Sequence, residues 1–198
     1  MGIQSFAEGF AFVDYHTETA ATEIDETIQG RDGQRLVLMA YDYLTLGTAH
    51  DLSIMHPGAL AGCRTTASAD AAISQKVLNV TDAPTDPAGN DVAESDIIAY
   101  QVTGGTWEFN TVTSLSTKAI TLGTNIAIAV ESGAKVRIFG VVGDGAVQKI
   151  HCLANDVTSR EDAIYATCPY KGDPLYVSSD NITHDGTINR MVFAYINK

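Results

Sequence analysis

The apolar residues of this chain come in short runs of about four to nine, each cut off by Gly, Pro, Asn or Asp, and this spacing excludes most folds built on helices. Residues 36–44 read Leu-Val-Leu-Met-Ala-Tyr-Asp-Tyr-Leu. They are apolar on both alternating faces, as expected of a strand covered on two sides. Residues 51–55 form a second run, closed by His56-Pro57-Gly58, so the two predict a hairpin. Further strands are predicted at 77–81, 97–102, 106–112, 118–122 and 136–142. Gly104-Gly105 supplies a tight turn, and Trp107 and Phe109 share one face as core or interface anchors. The pattern resumes at 147–153, 164–167, 175–178 and 188–196. In the last of these Met191, Phe193 and Tyr195 alternate with Val192 and Ala194, so the C-terminal end is woven into a sheet. Residues 82–91 and 155–162 read as loops, 124–133 as a short helical turn, and Asp185-Gly186 as part of a turn. Residues 59–76, rich in Ala, Ser and Thr, fit a short helix and a loose surface strand equally. The expected class is all-β, with the closely spaced strands of 97–142 forming a small barrel.

Charge narrows the partners. Twelve Lys and Arg against twenty-four Asp and Glu give a formal charge of −12. Nucleic-acid affinity needs clustered cations to neutralise phosphates, and here they stand singly, so neither nucleic acid nor an anionic membrane surface is an expected partner. The 198 residues suffice for a real core without staples. Cys63, Cys152 and Cys168 are odd in number and widely spaced, which predicts buried thiols in a reducing compartment. The N-terminus shows no basic stretch followed by an apolar one, so no signal peptide is expected. The apolar runs near 126–130 and 136–142 fall well short of the ~20 residues a membrane-spanning helix requires.

The first thirty residues carry six carboxylates and no Lys or Arg. Their apolar side chains bunch at Phe6, Phe10, Phe12 and Val13. This predicts an extended N-terminal arm that orders on a neighbour, with Phe6, Phe10, Phe12 and Tyr15 as candidate interface residues.

Catalytic constellations are not found. His16, His50, His56, His151 and His184 never recur at the spacing that sets two ligands on one helix face, so no metal is expected. Gly140, Gly143 and Gly145 hint at a phosphate loop, but Gln148 stands where the dinucleotide fingerprint needs its third glycine. Asp82, Asp86, Asn90, Asp91, Glu94 and Asp96 offer oxygens enough for calcium without the EF-hand spacing, and read as a solvated acidic loop. A carboxylate pair of the glycosidase kind converges only in space and is invisible to sequence. The expectation is a non-enzyme with no cofactor.

Three stretches carry a resemblance. Residues 36–58 resemble a strand–turn–strand of tailed-phage virion proteins. Residues 97–140, with Gly-Gly-Thr-Trp, Val-Thr-Ser-Leu, Ala-Ile-Thr-Leu and Gly-Ala-Lys-Val, look like a small barrel module of phage structural proteins. Leu-Tyr-Val-Ser-Ser-Asp-Asn-Ile at 175–182 and Met-Val-Phe-Ala-Tyr-Ile-Asn-Lys at 191–198 are similar to the end of capsid decoration, or cement, proteins. The resemblance implies a jelly-roll-like β-sandwich with a small β-barrel insertion and an extended N-terminal arm. It also implies a homotrimer on the exterior of a virion capsid, made in the host cytoplasm, with the major capsid protein as partner. The expected layout is an arm at 1–30, a discontinuous sandwich from 31–73 plus 141–198, and the barrel at 74–140. A tail, neck or fibre component with an adhesion role is the alternative, and a hydrolase with a non-sequential carboxylate pair is a third reading.

Overall fold

The order in which the strands pair, more than their number, defines this protein. A computed structural model describes residues 11–15, 25–46, 50–141, 146–152, 157–160, 166–179 and 185–196. In chain order the strands are β1 (Ala11–Tyr15), β2 (Asp25–Ile28), β3 (Arg35–Leu46), β4 (His50–Met55), β5 (Val77–Asn79), β6 (Ile97–Gln101) and β7 (Trp107–Ser116). They continue as β8 (Ala119–Leu122), β9 (Val136–Gly140), β10 (Ala146–Cys152), β11 (Val157–Arg160), β12 (Ala166–Thr167), β13 (Leu175–Ser179) and β14 (Asp185–Ile196). The single helical element among the described residues is a turn of 3-10 helix at Ala61–Arg64. The chain divides into two compact units, Met1–Ile54 with Val147–Lys198, and Met55–Ala146.

In the first unit one sheet runs β1-β14-β3-β11, with β12 also on β3, and the other runs β10-β4-β13-β2. Strands β11 and β12 lie along the same edge of β3, opposite residues 41–44 and 37–38, and so act as one interrupted strand. Taken that way, the chain winds through two four-stranded layers in the order of a jelly roll, two interlocked Greek keys. The inserted unit occupies the connection between β4 and β10, which are neighbours in one sheet.

The two sheets share one core. β3 and β14 give Leu36, Leu38, Tyr41, Met191, Phe193 and Tyr195; the facing sheet gives Ile28, Leu52, Ile54, Ile150, Leu175 and Val177. The alternation expected of half-buried strands holds, apart from one step between Leu38 and Tyr41. There Val192 pairs with Ala40 but Phe193 pairs with Leu38, so Met39 is bulged out and the inward parity of β3 switches. At one corner the Tyr195 hydroxyl donates to the Gln29 carbonyl at 2.7 Å, and the Arg31 guanidinium lies 4.3 Å from the Tyr195 ring centre. Gly30 belongs here because a Cβ would sit 2.2 Å from the Gly172 carbonyl oxygen.

The second unit is a small barrel. Its sheet runs β5-β8-β7-β6-β9. The segment 65–68 then joins the two edges: Ala67 bridges Val80 beside β5, and Thr66 bridges Lys135 beside β9. Backbone bonds from Ala67 N to Ala134 O (2.8 Å), Ser68 N to Asn79 O (2.9 Å), Thr81 N to Thr66 O (2.9 Å) and Val136 N to Thr65 O (2.9 Å) close the ring. Closure removes the free edges that would otherwise seek partners. Inside lie Leu78, Ile98, Tyr100, Val112, Ile120, Leu122, Val136 and Ile138, among others.

Several expectations are corrected. The N-terminal segment is not simply an arm: residues 11–15 pair with β14 and residues 25–28 with β13, so both are strands of the sandwich. The insertion begins at Met55, not at 74, because residues 61–68 and their hydrogen bonds belong to the barrel. It ends at Ala146, not at 140. Within the segment taken for a polar loop, 157–160 is β11, and Asp185-Gly186 opens β14 instead of turning. No helical turn forms at 124–133, where Val130 and Ile126 bond to Ala71 and Gln75 in extended fashion.

Candidate interaction surfaces

Of the four aromatics singled out near the N-terminus, Phe12 and Tyr15 sit in β1, paired through their backbones with Ala194 and Met191. β1 is an end strand of its sheet. Phe6 and Phe10 lie outside the described residues. The backbone of residues 11–15 is therefore committed to the sandwich.

The barrel unit shows where its polar groups go. On the inner side of β7, Asn110 is buried. Its Oδ1 accepts from Thr124 N and Thr111 N, both at 3.0 Å, and its Nδ2 donates to Thr124 O at 3.1 Å and to the Tyr100 hydroxyl at 3.4 Å. Burial pushes the Tyr100 phenol up to about 12, against the opposing pull of the Asn110 bond. On the other side of the same strands lie Trp107, Phe109, Arg137 and Phe139, on the face turned away from the barrel core. Trp107 and Phe139 are buried there. The Arg137 guanidinium is 5.8 Å from the Trp107 ring centre and donates to the carbonyls of Val136 (2.8 Å) and Thr65 (3.3 Å). Strands β6 and β9 are thus buried on both faces, which is why 97–102 and 136–142 read as near-continuous apolar runs.

The acidic loop is held by itself. Asp86 accepts from Asn90 N (2.8 Å) and Asn90 Nδ2 (3.0 Å), while Asp96 accepts from Ala93 N (2.8 Å). Slight burial raises the Asp86 carboxyl, but the hydrogen bonds from Asn90 and the neighbouring amides outweigh it and hold it below the usual range. No group of three His, Cys, Asp or Glu side chains placed to hold a metal occurs among the described residues. Cys63 donates to the carbonyls of Thr85 (3.1 Å) and Asp86 (3.2 Å), pinning the 3-10 helix to this loop, and burial pushes its thiol up. Cys63 and Cys168 are both buried and unbridged, and Cys152 has no described side chain. Gly140 has a positive φ of 80° and closes β9; residues 142–145 lie outside the described region.

The concavities of the barrel are shallow. One groove of about 470 Å³ is lined by Ser68, Asn79, Thr81, Ser116, Thr117 and Lys118, and another of about 310 Å³ by 101–105 and 131–134. Lys118 Nζ is held on the Thr81 carbonyl at the rim of the first. Neither brings carboxylates and imidazoles together, so the chemistry on offer is contact through hydroxyls, amides and small apolar groups. Only the positive φ of Thr117 (56°), at the tip of the β7–β8 hairpin, departs from ordinary backbone there, and sequence gave no sign of it.

No family model matches this chain, and no curated protein matches it. Among solved structures it aligns with VP17, a capsid protein of bacteriophage P23-77, at 11% identity and a TM-score of 0.17, over 95% of this chain and 96% of that one. The VP16-VP17 complex, formed by the two major capsid proteins of the same phage, aligns at 11% identity and TM-score 0.17, over 95% and 99%. Likeness at this level carries no argument, and the assignment of the fold rests on the strand order itself.

Proposed function

We propose that this chain is a virion structural protein that attaches to the outside of an icosahedral phage capsid, as a trimer, and stabilises it by bridging capsid subunits. It works through contact area and carries out no turnover. The observation that carries the reading is the jelly-roll order of the sandwich strands, an architecture used by viral capsid domains and lectins alike. The sequence resemblance to decoration proteins supports the same reading. A net charge of −12 keeps free copies soluble before attachment and disfavours contact with packaged nucleic acid.

The test is to count copies on purified particles by quantitative mass spectrometry, then strip and re-add the protein. Attachment predicts copy numbers in the tens to hundreds, set by icosahedral symmetry, and particles that assemble without the chain but break at lower temperature. Failure of any shell to form without it would replace attachment by wall-building, and absence from particles would discard both.

A second reading, a tail or fibre module that adheres to host glycans, is favoured by one observation. The barrel is inserted as a unit and exposes a groove lined by hydroxyls and one lysine. It predicts few copies per particle and glycan binding lost on changing Lys118.

A further inference from the structure

One strip of the barrel surface is neutral and apolar in the middle and oppositely charged at its ends. Residues 70–76 run antiparallel beside 123–132. Ala71 and Val130 exchange both backbone bonds at 2.9 Å, Ser74 N donates to Ile126 O (2.9 Å), and Ile126 N donates to Gln75 O (2.8 Å). At one end the Asp70 carboxylate accepts from Ser132 N at 2.8 Å. At the other end the Lys76 ammonium donates to Gly123 O at 3.0 Å. Glu131, next to Ser132 at the Asp70 end, accepts from Thr103 Oγ1 at 3.3 Å, so that end carries two carboxylates, and these bonds fix where the three charges stand without neutralising any of them.

Between them lie Ile73, 61% exposed, and Ile128, 44% exposed, the former the most exposed large apolar side chain among the described residues. Ile73 is pushed outward by a turn in which Gln75 N bonds to Ala72 O and Ser74 takes a φ of 70°. Residues 71–75 and 123–130 contain no ionisable side chain.

We propose that this strip is a two-fold contact between two copies of the chain. A two-fold axis passing near Ile73 lays the apolar centre of one copy on that of the other. It also sets each Asp70 against the partner copy's lysine at the opposite end, the self-complementarity an isologous interface requires. In a chain carrying −12, a surface whose own image sets acid against base avoids the repulsion that apposed carboxylates would bring. The strip is small beside the ~1,200 Å² of a stable interface, so the contact is weak between free molecules and gains strength only where many copies are held side by side. It extends the contact-making role proposed above but does not depend on the particle being a capsid, since the strip's own chemistry specifies the occupant.

The experiment is disulfide trapping in the full chain. Ile73→Cys is compared with Leu60→Cys, a somewhat less exposed apolar position on the same unit (44%). Near a two-fold axis the cysteine meets its own counterpart, so the Ile73→Cys dimer forms at least about tenfold faster than the Leu60→Cys dimer. Adding Asp70→Lys, or Lys76→Asp, slows trapping by about three- to tenfold, because each places like charges together. Combining both substitutions restores the rate to within about twofold, since the reciprocal swap re-creates the pairing. Equal rates for the two cysteines overturn the proposal. Fast trapping that is indifferent to the charge swaps, or that the double swap does not recover, overturns it as well. Copy counts on particles do not bear on any of these outcomes.

Discussion

Asn110 bonds four polar groups in the barrel, and nothing in its sequence position announces this. It stands in a run whose alternation draws attention to Trp107 and Phe109, yet those two lie on the face away from the barrel core while Asn110 and Val112 face inward. Parity can be read from sequence; which parity is the inner one cannot, when both faces are covered. Asn110→Ala removes the bonds to the amide and carbonyl of the exposed Thr124 and to the hydroxyl of the buried Tyr100. It is expected to cost about 1–3 kcal/mol, read as a lower midpoint in urea with an unchanged slope. The single tryptophan, under the Arg137 guanidinium, makes a convenient fluorescence probe of that unfolding. Tyr100 gives a pH signature. Its phenol is neutral in both folded and unfolded chains below pH 10, so it contributes no pH dependence there. Between pH 10 and about 12 the unfolded chain ionises first, and stability falls by roughly 2–3 kcal/mol. Equilibrium unfolding of wild type and Tyr100→Phe across this range should diverge, with the variant showing the smaller loss.

At the scale of elements, the strands easiest to read were those that bury apolar side chains on both sides, such as β3, β6 and β9. Those that were missed are polar or short and exist because a neighbour pairs with them. β2 reads Asp-Glu-Thr-Ile and forms on β13; β11 reads Val-Thr-Ser-Arg and forms on β3. Tertiary pairing outweighs weak intrinsic preference at such edges. The closing segment 65–68 is the extreme case, since its Ala, Ser and Thr residues make only isolated bridges, yet they turn an open sheet into a ring. Ala67→Pro removes the amide that bonds to Ala134 O and crowds a position with partners on both sides. It is expected to destabilise the barrel by about 3 kcal/mol or more. Hydrogen exchange should show the amides of Ser68, Thr81 and Val136 losing protection while those of β13 keep theirs. Uniform loss across both units would show that the segment is not a local closure.

At the scale of the whole molecule, the described residues form two separate apolar clusters, one inside the sandwich and one inside the barrel, and each draws its members from one unit alone. This predicts that residues 55–146 fold in isolation into a barrel with a cooperative thermal transition and native tryptophan emission, as domains with their own cores do. A chain that stays unfolded, with free exchange at Leu78 and Ile120, would show that the barrel needs its host. The discontinuous layout was readable from the small-barrel pattern of 97–142 and the return of sandwich-like strands after it. The boundary was not, because residues 59–76 carry no periodicity of either kind.

Strands β4 and β10 lie side by side, and the insertion departs from one and returns through the other. Adjacent strands stand about 4.8 Å apart, so the guest's two ends are delivered almost together and its length scarcely alters the entropy of closing that loop. The β4–β10 pair is in effect a socket. Any folded domain with closely spaced termini should seat in it, and the sandwich offers a scaffold on which foreign cargo can be displayed in place of the barrel.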